Sequence, residues 1–496
     1  MTELLTRDEY AAIAAALDLP AAPFVDGKFR RGEGPEMATL DPATGKVLAR
    51  IATAGQADVD FAVGKAREAF ERGAWSRAHP SERKEVLIRL CKLITRRRHE
   101  FAVMESLDSG KPVRDCELID IPETIRTIKW HAELIDKIYD QVGPSGDDAI
   151  SMIVREPIGV VAAVLPWNFP LLMMAWKIAP ALAAGNSVIV KPAEQTSLTA
   201  LRLAEVAQMA GIPRGVLQVL PGDGPGVGEP LGRHMGVDMV SFTGSTETGR
   251  RFLRYAADSN LKKVTLECGG KNPAVVLEDA ENLEHVAEHV VNGAFWNMGE
   301  NCSAASRLIV HRALKAPLME RILARVREWR MGDPLDPATR LGALIDAEHC
   351  RKVASYLEGE AVIGGTVEGN FVAPTIYEVT PDDPRAREEV FGPLLSVIEV
   401  ASDDEAIALA NATEYGLAAS VFTGNVRRAL RAARAIRAGT VTVNCYGEGD
   451  ITTPFGGYRQ SGFGGRDNGV QAHDQFTEVK TIWIDLSDPR EGDNVA

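Results

Sequence analysis

One cysteine, Cys302, stands in a segment whose composition suits a reactive thiol. Small and polar residues surround it, Gly299 lies just before it, and the apolar run Leu308-Ile309-Val310 follows. The pattern predicts a loop that carries the thiol into a site and a buried strand that leaves it. A partly ionised thiol there would be a nucleophile able to form a covalent intermediate. The competing interpretation is that Cys302 is a small core residue, which is the usual fate of a free cysteine.

Five other short motifs accompany the Cys302 segment along the chain. They are Pro166-Trp167-Asn168-Phe169-Pro170, Lys191-Pro192-Ala193-Glu194, Phe242-Thr243-Gly244-Ser245, Leu266-Glu267-Cys268-Gly269-Gly270-Lys271 and Glu389-Val390-Phe391-Gly392-Pro393. Their order and spacing resemble those of the NAD(P)-dependent aldehyde dehydrogenases, and the resemblance covers nearly the whole chain. The presence of these five motifs favours the catalytic interpretation of Cys302.

The resemblance implies a covalent oxidation. Cys302 would add to an aldehyde to give a thiohemiacetal, hydride transfer to nicotinamide would leave a thioester, and water would hydrolyse it. Asn168 would donate to the oxyanion beside the backbone N–H of Cys302. Glu267 would be the general base for hydrolysis, and Lys177 falls where the family relays its proton. The alternatives are a turn asparagine between two prolines at position 168 and a strand-end carboxylate at position 267.

Three features depart from the family's pattern. Glu300 stands where glutamine is common, and Ala305 stands where glycine is common. An extra glycine in Gly464-Gly465 shifts the alignment of Asp467, a second candidate for the relay with Lys177.

The resemblance also implies a site for NAD. Lys191 and Glu194 follow a predicted strand and would hold the adenosine ribose, where a carboxylate repels a 2′-phosphate and so favours NAD over NADP. Ser245 begins a predicted helix whose N-terminus can meet the pyrophosphate. The other residues assigned to the dinucleotide are Trp167, Gly224, Gly228, Gly269, Phe391 and Glu389, the last as the anchor of the nicotinamide ribose. A glycine-rich loop without a ligand is the alternative for Gly224 and Gly228.

Finer features resemble the branch that oxidises γ-glutamyl-γ-aminobutyraldehyde and 4-guanidinobutyraldehyde in polyamine and arginine catabolism. They are Ile119-Asp120-Ile121-Pro122, the segment 444–450 and the segment 476–484. A carboxylate at a tunnel mouth would hold a cationic end group, and the candidates are Asp120 first, then Glu448 and Asp450. The candidate apolar walls are Met173, Trp176 and Phe455. The alternatives are a helix cap for Asp120 and helix core for the walls.

Strands alternate with helices of ordinary length from about residue 150 onward, which predicts an α/β chain. Long helices are predicted before that point, at residues 58–70, 81–107 and 121–139. The expected organisation is a doubly wound Rossmann-like NAD-binding domain at residues 1–138 and 157–267, followed by an α/β catalytic domain at 268–470. A small β oligomerisation arm at 139–156 and 471–496 would, by resemblance, join subunits into a homodimer or homotetramer.

The composition narrows the partners and the compartment. A net charge of −14 over 496 residues disfavours binding to nucleic acid and to anionic lipid. The six cysteines are scattered with no C-x-x-C pair, so neither a metal site nor a disulfide scaffold is expected. The chain begins without a secretory pattern and has no apolar run of the ~18 residues that a membrane span needs. These features favour a cytoplasmic protein.

Other functions fit the sequence less well. A broad-range aliphatic or aromatic aldehyde dehydrogenase is the first alternative. A CoA-acylating variant is disfavoured by Glu267, which supplies a hydrolytic base. A cysteine esterase has no need for the ribose contacts at Lys191, Glu194 and Glu389. A non-catalytic structural protein has no need for Cys302 and its neighbours.

Overall fold

An eight-stranded sheet forms the larger framework of the chain, which a computed structural model describes over residues 4–447 and 449–487. In spatial order its strands are Lys28–Phe29, Phe24–Val25, Leu217–Val219, Ser187–Lys191, Val160–Val164, Met239–Gly244, Lys263–Cys268 and Gly462–Phe463. The five central strands are parallel and the edge strands pair antiparallel. Ligands bind such sheets beyond the carboxyl ends of the parallel strands.

A second sheet of six strands is parallel throughout. In spatial order its strands are Thr375–Glu378, Leu394–Val400, Arg307–His311, Pro273–Val276, Ala418–Phe422 and Thr440–Val443. Two small hairpins pair Glu36–Leu40 with Val47–Ala52 and Val367–Glu368 with Phe371–Val372. The prediction of an α/β chain with a doubly wound parallel sheet is confirmed. The edge strand Gly462–Phe463 belongs to the first sheet although it lies in the range assigned to the catalytic domain.

Helices cover both sheets. Those before residue 260 are Arg7–Ala16, Gln56–Arg72, Pro80–Arg96, Arg98–Ser109, Val113–Asp115, Ile121–Leu134, Pro170–Ala184, Leu198–Ala210, Glu229–Arg233 and Thr246–Ala257. Those after it are Leu283–Phe295, Arg312–Val326, Ala347–Ala354, Pro384–Arg387, Asp403–Asn411, Val426–Ala435 and Gly469–Gln475. Short 3-10 turns occupy Trp296–Gly299 and Arg459–Ser461, and π-helical turns occupy Cys116–Asp120 and Gly224–Gly228.

The centre of the first sheet is the most deeply buried part of the chain. Every residue of strand Val160–Val164 and of helix Pro170–Ala184 is buried, as expected for a parallel sheet covered on both faces. Pro170 starts the helix at a position where its missing N–H costs nothing. The loop between strand and helix carries Trp167 and Asn168, so both side chains are held by rigid elements on either side.

Two predicted helices have different limits in the structure. The helix predicted for residues 81–107 is two helices, because Arg97 adopts φ −111° and ψ 19° and breaks the run. The helix predicted for 121–139 ends at Leu134. A π-helical turn at Cys116–Asp120 precedes it and places one additional residue in the turn.

The predicted arm is a three-stranded antiparallel sheet. Thr477–Asp485 pairs along its full length with Ala149–Pro157, and Gln141–Gly143 completes the sheet. Large apolar side chains, including Val142, Val479 and Trp483, are exposed on it. Among the described residues, no helix combines the length and hydrophobicity required to cross a bilayer.

Candidate active site

Cys302 lies in the wall of a cavity of about 260 Å³. The 3-10 turn Trp296–Gly299 precedes its loop. Within that turn Asn297 and Met298 adopt φ values of 53° and 56°, which reverse the chain. The Nδ2 atoms of Asn168 and Asn297 both donate to the Glu300 carbonyl at 2.9 Å. These bonds fasten the cysteine loop to the loop that carries Asn168.

Asn272 also holds the cysteine loop and was not predicted from the sequence. Its Nδ2 donates to the Cys302 carbonyl at 2.8 Å and to the Ala304 carbonyl at 3.0 Å. The side chain therefore clamps the backbone on both sides of Ser303. Asn272 follows the Gly269-Gly270-Lys271 motif directly. That position is the sequence feature that could have identified it as a site residue.

The two departures near Cys302 are accommodated by close packing. The Glu300 carboxyl is buried and accepts a hydrogen bond from Ile345 N at 3.1 Å, and burial raises its pKa well above the ordinary value. The methyl group of Ala305 packs against Gly293, where a Cβ would lie 3.0 Å from the Ala305 Cβ.

Glu267 is the penultimate residue of strand Lys263–Cys268 and lines the same cavity as Cys302. Nearby, Lys177 Nζ donates to Asp467 Oδ2 at 2.7 Å, with both side chains at most 3% exposed. Gln475 Nε2 donates to the other oxygen of Asp467 at 3.2 Å. Gly464, one of the two glycines of this segment, turns the chain with φ 88° three residues before Asp467.

A cavity of about 480 Å³ adjoins the cysteine cavity and contains most of the residues assigned to the dinucleotide. Lys191 Nζ lies 3.2 Å from Glu194 Oε1, and burial lowers the pKa of Lys191. Ser245 caps helix Thr246–Ala257 by accepting from Thr248 N at 3.2 Å. Gly224 and Gly228 also line this cavity.

The residues present fit a dinucleotide. The Thr243 Oγ1 atom is buried between the two cavities and has no hydrogen-bond partner among residues 4–447 and 449–487. The Glu194 side chain remains 37% exposed, so its carboxylate can accept ligand hydroxyls. The free N–H groups of a helix N-terminus favour a phosphate.

Aromatic rings and Glu389 form one part of the lining of the cysteine cavity. Glu389 Oε1 accepts from Gly270 N at 2.9 Å, and burial raises its pKa. A Cβ at Gly269 would lie 2.0 Å from Glu389 Oε2, so any larger residue there would displace the Glu389 carboxylate. Trp167 packs edge-on against Phe391, with ring centroids 5.3 Å apart.

His349 is a second residue that the sequence did not predict. Its ring packs edge-on against Trp167 at 5.1 Å, and its Nε2 donates to the Phe391 carbonyl at 2.7 Å. It lies on helix Ala347–Ala354, far in sequence from every motif, so no local pattern marked it.

An apolar neck adjoins the cysteine cavity, and Cys302 lines both. Its walls are Phe169, Leu172, Met173, Trp176, Trp296 and Phe455, and the space between them is about 20 Å³. Trp176 and Phe455 pack edge-on at 5.4 Å. The three predicted walls, Met173, Trp176 and Phe455, all lie here.

The neck opens into a mouth cavity of about 260 Å³ that contains charged groups. Glu123 and Arg126 lie on helix Ile121–Leu134, with Arg126 Nη1 3.0 Å from Glu123 Oε1. Asp450 faces them from another segment, and its carboxylate accepts from Thr452 N at 3.0 Å. Burial and the nearby Asp450 raise the pKa of Glu123. Glu448 lies outside the described residues.

The expectation that Asp120 binds substrate at the mouth is wrong. Its side chain is 1% exposed and its Oδ2 accepts from Lys111 Nζ at 2.7 Å. The π-helical turn rotates this side chain inward, and Glu123 lies in the mouth instead. Asp120 does occupy the N-cap position of helix Ile121–Leu134, as the alternative predicted, but within the described chain its side chain makes no capping bond.

Comparisons with known proteins agree with this geometry. Residues 29–482 match the sequence profile of the aldehyde dehydrogenase family. An aminoacetaldehyde dehydrogenase of Pseudomonas aeruginosa is 63% identical, over 98% of this chain and 100% of its own length. The structure of a gamma-glutamyl-gamma-aminobutyraldehyde dehydrogenase from Burkholderia cenocepacia superposes with a TM-score of 0.96 at 46% identity, covering 97% of this chain and 100% of that one. An indole-3-acetaldehyde dehydrogenase in complex with NAD+ also gives 0.96, at 44% identity and the same coverage.

The catalytic and cofactor motifs, the fold and these relatives agree. The chain therefore belongs to the aldehyde dehydrogenase family, and the prediction of an NAD-dependent aldehyde dehydrogenase is confirmed.

Proposed function

We propose that the chain oxidises amino aldehydes to acids, with NAD as the hydride acceptor and Cys302 as the nucleophile. The position of Cys302 carries the proposal, because the residue lines both the apolar neck and the cavity that adjoins the nucleotide site. An aldehyde carbonyl that passes through the neck reaches the Cys302 thiol. The nicotinamide would approach the same carbon from the cysteine cavity.

In the first step the Cys302 thiolate attacks the aldehyde carbon, a C–S bond forms, and an electron pair moves to the carbonyl oxygen. The Asn168 amide carries two N–H groups and uses one for the Glu300 carbonyl. We assign the other to the oxyanion, where such a donor contributes about 3–4 kcal/mol. The same amide thus orients the nucleophile loop and stabilises the charge that its attack creates.

When bound, NAD would supply the hydride acceptor, and loss of hydride from the tetrahedral carbon would leave a thioester on Cys302. Glu389, Trp167 and Phe391 would hold the nicotinamide half, and Lys191 with Glu194 the adenosine half. The narrow apolar neck excludes bulk water while the thioester is being formed.

In the last step water attacks the thioester carbon and the C–S bond breaks. The thiolate is regenerated on Cys302 and the acid is released. Glu267 is assigned as the base that takes the proton of this water, because it lines the neck and the cysteine cavity. The buried Lys177–Asp467 pair is assigned to carry the proton onward.

Two relatives support a substrate that bears nitrogen. Their names specify aminoacetaldehyde and gamma-glutamyl-gamma-aminobutyraldehyde. The mouth supports the same class, since Glu123 and Asp450 give it two carboxylates. Met173, Trp176 and Phe455 would enclose the carbon chain.

The assembly and the compartment belong to the proposal as well. The exposed apolar side chains of the arm favour a homodimer or homotetramer joined through strand Thr477–Asp485. We place the enzyme in the cytoplasm because its six cysteines are scattered along the sequence with no C-x-x-C pair, which suits a reducing compartment. The domain limits given above, at residues 138, 156, 267 and 470, are part of the same proposal.

The test is NADH formation across aldehydes that differ in end group and length. Aminoacetaldehyde, 4-guanidinobutyraldehyde, 4-(γ-glutamylamino)butyraldehyde, butyraldehyde and benzaldehyde form a suitable set. Higher kcat/KM for the nitrogen-bearing aldehydes than for butyraldehyde supports the proposal. Equal values across the set would identify a broad-range enzyme instead.

A further inference from the structure

Tyr446 contacts the cysteine loop from the segment that borders the mouth. It lines the mouth cavity, and its hydroxyl accepts a hydrogen bond from Asn301 Nδ2 at 2.8 Å. The same hydroxyl lies 3.5 Å from Ser303 Oγ. One side chain, distant in sequence, therefore contacts the residues immediately before and after Cys302.

These three polar side chains form a closed network. Asn301 Oδ1 accepts from Ser303 N and from Ser303 Oγ, each at 3.1 Å, while Asn301 Nδ2 donates to Tyr446. Asn301 and Ser303 are 3% and 1% exposed. Hydrogen bonds between buried polar groups are costly to lose, because solvent has little access to replace them. The network therefore restricts the chain on both sides of the nucleophile.

Helix Leu283–Phe295, which precedes the 3-10 turn and the cysteine loop, fixes Tyr446 as well. The backbone N–H of Tyr446 donates to His289 Nδ1 at 3.0 Å. Gly293, four residues later on the same face of this helix, makes room for the tyrosine ring, since a Cβ there would lie 2.9 Å from Tyr446 Cδ2. The Gly293 carbonyl also accepts from Ala305 N at 2.8 Å. One rigid helix thus holds both the tyrosine and the loop that it contacts.

We infer that Tyr446 is a positioning residue for Cys302. Its hydroxyl, through the polar network, holds the thiol-bearing residue in the geometry for attack on the aldehyde carbon. Asn272 holds backbone carbonyls of the same loop, whereas Tyr446 holds side chains on either side of the thiol. A misplaced nucleophile slows the covalent step even when aldehyde and NAD bind normally. The inference rests on the proposed role of Cys302.

Single-turnover stopped flow with Tyr446→Phe tests the inference. With enzyme in excess over aldehyde, NADH formation reports the steps up to the thioester, and its dependence on enzyme concentration separates the maximal rate from half-saturation. The substrates are butyraldehyde and the longer 4-guanidinobutyraldehyde. The control is Tyr10→Phe on the first helix of the chain, which also removes a hydroxyl that accepts a hydrogen bond, from Leu5 N at 3.2 Å.

Tyr446→Phe should lower the maximal rate about tenfold for both aldehydes, the size expected when one hydrogen bond that holds a reacting group is lost. The half-saturating concentrations, including that of NAD, should stay unchanged. Tyr10→Phe should change neither quantity. Asn301→Ala should cause a loss similar to that of Tyr446→Phe, and the double variant should lose little more, because both substitutions break the same network.

A loss confined to 4-guanidinobutyraldehyde would identify Tyr446 as a contact of the substrate's far end and overturn the inference. So would an unchanged maximal rate, or losses that multiply in the double variant. Wild-type enzyme separates this failure from that of the proposed function. If wild type forms NADH with these aldehydes, only the role of Tyr446 is lost, whereas failure of wild type on every aldehyde removes the proposed function and this inference together.

Discussion

Replacing Asp120 by asparagine should destabilise the protein strongly and lower its activity on every aldehyde alike. Asp120 and Lys111 are each 1% exposed and their charged atoms are 2.7 Å apart. Burial raises the pKa of Asp120, whereas the adjacent Asp120 keeps the pKa of Lys111 above its ordinary value despite burial. The substitution keeps the side-chain volume but leaves the ammonium of Lys111 without its counter-charge.

The expected loss is about 3 kcal/mol in the free energy of unfolding. Breaking a buried pair by removing one partner typically costs ~3–5 kcal/mol, and the lower end applies because an asparagine oxygen can still accept from Lys111. Solvent does not screen this pair, since both groups are inside the core. The double variant Lys111→Met with Asp120→Asn removes the buried cation as well and should recover most of the loss.

Urea unfolding followed by tryptophan fluorescence measures this loss, at fixed protein concentration and without NAD. The control is Asp136→Asn, the same substitution in an exposed pair with Lys84, whose midpoint should hardly move. Enzymatic activity is a second measurement of the effect of Asp120→Asn. Lys111 Nζ lies 4.2 Å from the centre of the Phe169 ring, beside Asn168, so a displaced Lys111 disturbs the neck for all substrates.

Two results would refute this reasoning. One is an Asp120→Asn midpoint as close to wild type as that of Asp136→Asn. The other is a loss of activity on cationic aldehydes alone, with butyraldehyde oxidation intact. That result would show that Asp120 binds the substrate.

Three further outcomes are expected. Glu267→Gln should release a burst of NADH in stopped flow and then stall, because hydrolysis loses its base; steady turnover at the wild-type rate would place the base elsewhere. Wild type should have a higher kcat/KM with NAD than with NADP. Glu194→Gln should lower this NAD-to-NADP ratio, because the repulsion of the 2′-phosphate is relieved. An unchanged ratio would contradict the role of Glu194 in cofactor choice. Burial lowers the pKa of His131 to about 3 and of His473 to about 4, from 6.5, so stability that is present above pH 6.5 should be lost progressively as the pH falls towards 4. His131→Phe should make the fall in the free energy of unfolding over that range shallower, by up to about 1.4 kcal/mol per pH unit in urea titrations. An unchanged slope would contradict a buried neutral histidine.

The parts that sequence predicted well are those fixed by local pattern. The apolar run Val160–Val164 predicts a buried strand because a parallel sheet covered on both faces needs no alternation. Asn168 and Cys302 stand in loops that follow a strand and a 3-10 turn, and Glu267 is the penultimate residue of a strand; at each, a motif of a few residues specifies the geometry. Their convergence on one cavity follows from the sheet topology, which the alternation of elements also predicted.

The parts that sequence did not predict depend on contacts between distant segments. The direction of Asp120 is set by a π-helical turn, which no composition rule marks, and by a lysine nine residues earlier. His349 reaches the aromatic cluster from a helix with no motif of its own. Arg126 looks like an ordinary solvated helix residue until Asp450 is brought opposite to it.

The central claim is that the substrate carbon becomes bound to Cys302, and mass spectrometry of the trapped intermediate tests it most directly. Glu267→Gln protein, mixed with NAD and butyraldehyde and quenched in acid, should gain the mass of the aldehyde less two hydrogens, because a thiol hydrogen and a hydride are both lost. Peptide mapping should place the acyl group on Cys302, and the same protein with Cys302→Ala added should gain no mass while still binding NAD. An acyl group on another cysteine, such as Cys268, or an NADH burst without any acylated cysteine would contradict the account.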